Sequence, residues 1–584
     1  MRNNCQPSYA QVFKIDRIFP PCVQCPSPSE SLIGAAAKTK IGHGHLAGVV
    51  RLNCLSDAYQ PGVRDRRSSV LVQDDQRGSY LGQGTSTMQN KYDGGVSVAD
   101  KNLAALSSLT ALSPLDGRYA AQVAPLLPYF SEAALNRARL VVETEWLIAL
   151  CGGLPIDDAA TSGQNNGDDA GQQPLIPGAP KISASGIKAI RAIPNNFDAK
   201  GVAELAEIET RTVHDVKAIE YYLVDKLKQY PHINPALVHF ALTSEDVNNL
   251  AYAINISGAL QKVWLPAANK LVSDLRDLAT ETKDLPMLSR THGQPATPTT
   301  LGKEIAVFVH RLQRQIDRIK KQQILGKFSG ATGTFGAHTA AVPDADWPLI
   351  GAKFVESLGF TFNPLTTQIE SHDWQAELFA DITRFSRILH NLCTDIWTYI
   401  SQNYFAQQAA AGSIGSSTMP HKINPIRFEN AEANLELSIA LFESLEATLV
   451  NSRLQRDLTD STTQRNIGVA FGHNLLAIDN VIKGLKTLAP NPAQLARDLD
   501  ENWEVLAEPI QTAMRAAAIA GVPGMENPYE RLKDLSRGQR LDAEQTHTFI
   551  KSLGLPPGTE AYLLALTPAT YTGKAAQLVT QYLP

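Results

Sequence analysis

Gly412-Ser413-Ile414-Gly415-Ser416-Ser417-Thr418-Met419-Pro420-His421-Lys422-Ile423-Asn424-Pro425, followed by Glu429 and Asn430, puts two adjacent hydroxyls, a lysine and an asparagine on a segment that regular structure excludes. Gly412 and Gly415 reach backbone angles closed to other residues. Pro420 and Pro425 block both a helix interior and a central strand. Past Pro425 the apolar residues Phe428, Leu435, Ile439 and Phe442 recur at roughly helical spacing. A loop carrying nucleophile-type and cationic groups therefore feeds the start of a long helix, where free amides and the helix dipole favour anions.

The remainder of the chain repeats the helical pattern. Leu301, Ile305, Phe308, Leu312, Ile316 and Ile319 advance by three or four, the stripe of a core-facing helix. Val247, Leu250, Ile254 and Leu260 begin another, and 374–411, 428–450 and 466–488 read likewise. Strand-like alternation is scarce. The fold class expected is all-α, its helices long enough to pack side by side.

Hydrophobic residues are 43% of the chain and charged residues 19%, an ordinary globular balance, and the net charge of −5 argues against a broad polyanion-binding surface, so no nucleic-acid partner is expected. No run approaches about 18 apolar residues, so no membrane span is expected. The six cysteines, four of them (Cys5, Cys22, Cys25, Cys54) near the start, form no disulfide framework for a chain this long and point to a reducing compartment. Residues 1–103 differ from the rest: they mix Pro, Ser, Gly, Gln and Arg without apolar periodicity, the first 55 basic and poor in acids, the later part of mixed charge. They fit either a transit peptide, implying plastid or mitochondrion, or a disordered extension of a cytoplasmic protein. The organisation expected is that extension, an N-terminal helical domain at 104–240 with a polar low-complexity insertion at 152–180, a central bundle at 241–490 carrying the loop at 412–430, and a C-terminal helical domain at 491–584.

The loop resembles the signature of the fumarase/aspartase superfamily, Gly-Ser-Ser-x-Met-Pro-x-Lys-x-Asn-Pro, complete from Gly415 to Pro425. The shared reaction of that superfamily is a β-elimination releasing fumarate or a close analogue. Further segments narrow the resemblance: Ser113-Pro114-Leu115-Asp116-Gly117-Arg118-Tyr119, His214-Asp215-Val216-Lys217, Thr243-Ser244-Glu245-Asp246, Ser289-Arg290-Thr291-His292-Gly293-Gln294-Pro295, Thr367-Gln368-Ile369-Glu370, and Gln455-Arg456-Asp457-Leu458-Thr459-Asp460-Ser461 with Arg465. Together they resemble the adenylosuccinate lyase family, in the branch found in many bacteria and plants, from about Leu106 to the C-terminus. That resemblance implies a bundle flanked by two smaller, mainly helical domains. It implies a homotetramer with active sites shared between subunits, no metal and no organic cofactor. The implied substrates are two nucleotides of purine synthesis, adenylosuccinate and the succinylated aminoimidazole carboxamide ribotide, each cleaved to fumarate.

Carried over position by position, the resemblance makes Ser416 the base and His292 the acid. Lys422 and Asn424 hold the substrate carboxylate and its aci form, donors of a kind worth about 3–4 kcal/mol each in a dry site. His214 assists at the phosphate or orients the acid. Glu429 either orients a histidine or the lysine, or caps the helix start. Arg118 and Tyr119, with Arg456, Ser461 and Arg465, take phosphate and ribose, for which the planar guanidinium fork is suited. Thr243, Ser244 and Gln368 are succinyl donors, and Asp215, Ser417 and Asn430 complete the binding set. Three departures stand near the site: Val213 where relatives usually carry asparagine, Thr334-Phe335-Gly336 where they often carry Asn-Tyr-Asn, and Arg427 where an acid is common. Within the same reaction class the signature loop alone also fits argininosuccinate lyase, fumarase or aspartase. A non-catalytic structural protein on this fold would be expected to have lost Ser416, Lys422 or His292, and all three are present.

Overall fold

The stripe Leu301, Ile305, Phe308, Leu312, Ile316 and Ile319 is buried throughout, as its spacing requires. The computed structural model describes residues 110–153, 173–408, 419, 422–536 and 541–583, all within the unit Gly94–Pro584. The expected extension at 1–103, most of the 152–180 insertion, and Ser416 and Ser417 lie outside the described residues. In chain order the main helices are α1 (Glu132–Ile148), α2 (Ala199–Thr212), α3 (Asp215–Leu227), α4 (Ser244–Ala259) and α5 (Leu265–Glu281). There follow α6 (Leu301–Lys320), α7 (Asp373–Ser401), α8 (Ile426–Leu449), α9 (Thr459–Gln464), α10 (Ile467–Leu485) and α11 (Pro492–Asp500).

A π turn, Leu260–Trp264, joins α4 to α5, so Ser244–Glu281 runs as one rod. α5 packs on α6, α6 on α7, α7 on α8, α8 on α10, and α10 back on α5, closing a five-helix ring. The 29 residues of α7 span about 44 Å at 1.5 Å per residue. A buried polar knot fixes the register of this ring. The Asn474 amide donates to Ser386 Oγ (2.7 Å) and Ser438 Oγ (3.1 Å), and its oxygen accepts from Trp264 Nε1 (2.7 Å). A satisfied network in low dielectric is strong, and sliding α7, α8, α10 or the α4–α5 rod would strand its donors. Gly302 allows the start of α6 to meet the end of α5: a Cβ there would lie 2.2 Å from the Ala279 carbonyl oxygen. Beyond the ring, Trp503, Leu506, Ile510, Met514, Ile550 and Leu563 build a separate C-terminal apolar cluster.

Two expectations are corrected here. The helix expected over 374–411 stops at Ser401: Asn403 turns the chain with φ +60. Phe405–Gln407 (β3) then pairs antiparallel with Leu488–Pro490 (β4). The segment around His292, where Pro295 and Pro298 argue for a constrained loop before a helix near Thr299, is instead a hairpin of β1 (Pro286–Thr291) and β2 (Gln294–Thr300). Its prolines hid it, yet a two-stranded ribbon has only edges, where a missing N–H is tolerated. Thr300 then caps α6, its Oγ1 accepting from Lys303 N at 3.2 Å.

The Thr334–Gly336 departure lies beside a buried histidine. His338 is fully buried among the rings of Trp146, Phe328, Phe335 and Trp347. Burial pushes its pKa down to about 4. Because the unfolded chain takes up this proton near pH 6.5, stability is lost as pH falls below 6.5 toward 4. Between pH 7 and 5 the loss is about 2 kcal/mol. Urea unfolding at the two pH values is expected to show a smaller drop for His338→Leu than for the unmodified chain; equal drops would contradict the assignment.

Among the described residues no helix is long and apolar enough to cross a membrane, and no cluster of three or more His, Cys, Asp or Glu side chains could hold a metal ion.

Candidate active site

The start of α4 carries Thr243 and Ser244, and several groups fix it. Asp246, fully buried, accepts from the backbone N–H groups of Thr243 (2.9 Å), Ser329 (2.9 Å) and Gly330 (3.2 Å). It pairs with buried Lys327 at 2.7 Å; burial pulls the Lys327 pKa down against this attraction. The loop before Thr243 holds two left-handed residues, His239 (φ 55) and Ala241 (φ 60), conformations that cost energy outside glycine. Helix α1 supplies the compensation. Glu143 accepts from His239 N (3.1 Å) and lies 2.6 Å from its Nδ1, and Trp146 Nε1 donates to the Phe240 carbonyl at 2.9 Å. Thr243 and Ser244 are thus held at a helix N-terminus, where charge and free amides favour an anion.

His214 and Asp215 open α3. The Lys217 N–H donates to His214 Nδ1 at 3.2 Å, which leaves the proton of the neutral ring on Nε2, on a half-exposed side chain. Val213 before them is exposed and left-handed, φ 49. A β-branched residue is strained there, whereas asparagine tolerates that region. The departure at this position is therefore foremost a backbone matter. Asp215 lies between two arginines: buried Arg139 at 2.7 Å and half-exposed Arg465 at 3.0 Å. Burial alone would raise its pKa, but Arg139, the Val216 N–H and Arg465 outweigh that and hold the carboxyl below its usual range.

From the other side, Arg456 pairs with Glu245 (2.9 Å) and donates to Gln368 Oε1 (3.5 Å), while Gln368 Nε2 donates to the Ala331 carbonyl (3.1 Å). Ser461 Oγ accepts from Arg465 at 3.1 Å. The binding residues expected from four separate segments therefore share one connected network: Asp215, the α4 start, Gln368, and Arg456 with Ser461 and Arg465.

A second group forms around α8. The Asn430 amide donates to the Tyr119 hydroxyl (3.4 Å) and its oxygen accepts from Asn480 (2.9 Å), while the Arg118 guanidinium lies 5.9 Å from the Tyr119 ring centre. Glu429, in the first turn of α8, accepts from Trp397 Nε1 at 3.2 Å. Arg427 donates to Asn480 Oδ1 at 3.0 Å, so this departure serves packing between α8 and α10. Lys422 is exposed. Its N–H bonds the Met419 carbonyl at 3.0 Å, and Gln407 holds the neighbouring Ile423 carbonyl at 2.8 Å ahead of Asn424.

His292 stands at the tip of the β1–β2 hairpin, exposed. With Gly293 it makes a two-residue turn with φ 54 and 77, the signs that a type I′ hairpin demands. The hairpin is anchored just below that tip: Arg290 makes two bonds to Asp498 of α11 (2.9 and 2.7 Å), and Asp498 also accepts from Tyr404.

Sequence reasoning missed Arg139 and Glu245. Glu245 stood inside a quoted motif without a role. Arg139 had one usable signal: Asn136, Arg139 and Glu143 are polar at helical spacing on a helix that is otherwise buried.

A family model described as "Lyase" matches residues 117–436, more than half of the chain. Among solved structures, a fumarate lyase from Mesorhizobium sp. BNC1 superposes with a TM-score of 0.59 at 18% identity, covering 78% of this chain and 97% of that one. A 3-carboxy-cis,cis-muconate lactonizing enzyme from Pseudomonas putida gives 0.57 at 20%, covering 78% and 96%. The helical ring and these matches define a lyase of the fumarase/aspartase superfamily. A second model, "Adenylosuccinate lyase C-terminal", matches residues 452–572. The adenylosuccinate lyase of Escherichia coli K12 is 46% identical over 478 residues, 82% of this chain and 99% of that protein, and that of Legionella pneumophila strain Corby is 46% identical over 479 residues, again 82% and 99%. The chain belongs to the adenylosuccinate lyase family.

Proposed function

We propose that this protein cleaves adenylosuccinate to AMP and fumarate, and the succinylated aminoimidazole carboxamide ribotide to the carboxamide ribotide and fumarate, by acid–base β-elimination. One observation carries this reading at the site: polar groups from four distant segments converge on a single network that ends in the arginines Arg456 and Arg465. A substrate with a phosphate and two carboxylates calls for such a surface.

In this scheme Ser416 removes the proton on the carbon beside the carboxylate that becomes the aci form. Lys422 and Asn424 stabilise the resulting dianion. His292 gives a proton to the departing nitrogen as the C–N bond breaks, so fumarate leaves with the new double bond and the amine leaves neutral. Thr243, Ser244 and Gln368 hold the succinyl group, and the proton on His214 Nε2 is available to an anionic oxygen. Ser417, Asn430, Arg118 and Tyr119 complete the nucleotide end. His292, on an exposed hairpin, needs other surfaces around it to exclude water, which supports a homotetramer in which several subunits build each site.

The test is fumarate release followed by absorbance, with adenylosuccinate and argininosuccinate presented separately to the purified protein. Turnover of adenylosuccinate alone is expected. Turnover of argininosuccinate alone would overturn the reading.

A further inference from the structure

Behind the two arginines runs a buried chain of contacts that binding alone does not require. Arg465 Nη2 meets Asp215 at 3.0 Å, and Asp215 meets Arg139 at 2.7 Å. Arg139 Nε donates to Asn248 Oδ1 at 2.9 Å, Asn248 donates to Glu245 at 2.7 Å, and Glu245 meets Arg456 at 2.9 Å. Arg139 and Glu245 are 1% and 2% exposed. Burying such charges costs several kcal/mol each, and well-packed apolar residues would serve stability as well. Arg139 spends its whole fork on neighbours, Nη1 going to Asn136 at 2.9 Å, and one oxygen of Glu245 takes both Asn248 and Arg456. The charged groups alternate in sign around the neutral Asn248, and both ends of the chain are cations. A rigid strut with a fixed cation at each end holds two guanidinium groups at one separation.

We propose that Arg139 and Glu245 are positioning residues that, bridged by Asn248, set the spacing of Arg465 and Arg456 for the anionic groups of the substrate. This rests on the reading that those two arginines bind substrate. The bridge acts on ground-state binding, so its loss appears in KM rather than in kcat.

The experiment is a double-mutant cycle in steady-state kinetics with adenylosuccinate, run on folded, assembled protein. Glu245→Gln is expected to raise KM about tenfold with kcat changed less than about twofold, and to shift KM less than about twofold when Arg456→Ala is already present. Asn248→Leu, which interrupts the bridge while leaving both charges, is expected to behave in the same way and serves if Glu245→Gln fails to fold. Equal factors with and without Arg456 would mean a general structural role and would overturn the proposal, as would an unchanged KM in both bridge variants. An unchanged KM in Arg456→Ala itself would instead remove the underlying assignment of substrate contacts.

Discussion

Ser416→Ala is expected to lower kcat for fumarate release by about a thousandfold or more, with KM changed only severalfold. A general base contributes roughly 10²–10⁴ to rate, and alanine leaves nothing on that side chain to accept the proton. A serine hydroxyl is a weak base in water. Its proposed activation comes from Lys422 on the same loop and from the start of α8, whose free amides lower the cost of negative charge nearby. His292→Ala is expected to cost a similar factor, because an unprotonated nitrogen is a poor leaving group. Both variants should assemble normally: His292 is exposed on a hairpin anchored elsewhere, through Arg290 and Asp498. Steady-state assays on assembled protein check this. A Ser416→Ala enzyme within threefold of the unmodified rate would exclude Ser416 as the base.

The helical ring could be read from the chain because its signal is periodic burial. The stripe from Leu301 to Ile319 gave the correct face of α6 without any tertiary information. What periodicity does not carry is how a helix ends. The stop of α7 depends on a left-handed Asn403 and on pairing with a strand more than eighty residues later. The hairpin under His292 was obscured because prolines in β2 imitate a loop. At the site, the motifs supplied residue types and the family resemblance supplied roles, but neither exposed the supports. Arg139 reaches Asp215 and Asn248, and Glu245 reaches Arg456, all distant in sequence, and no local pattern records a contact of that kind. Val213 shows a related limit: the sequence marks it only as a departure from asparagine, and the fold makes it a left-handed backbone position occupied by a β-branched residue.

In the proposed scheme acid and base meet only in an assembly, with His292 of one subunit serving the Ser416 of another. Mixing Ser416→Ala and His292→Ala proteins, each nearly inactive, and letting subunits exchange tests it directly. If the two groups in a site come from different subunits, random equal mixing leaves about one quarter of sites with both intact. Activity should then rise from the background of either variant to about a quarter of the unmodified rate. Mixed tetramers verified by native mass spectrometry that stay at the background of the separate variants would contradict it.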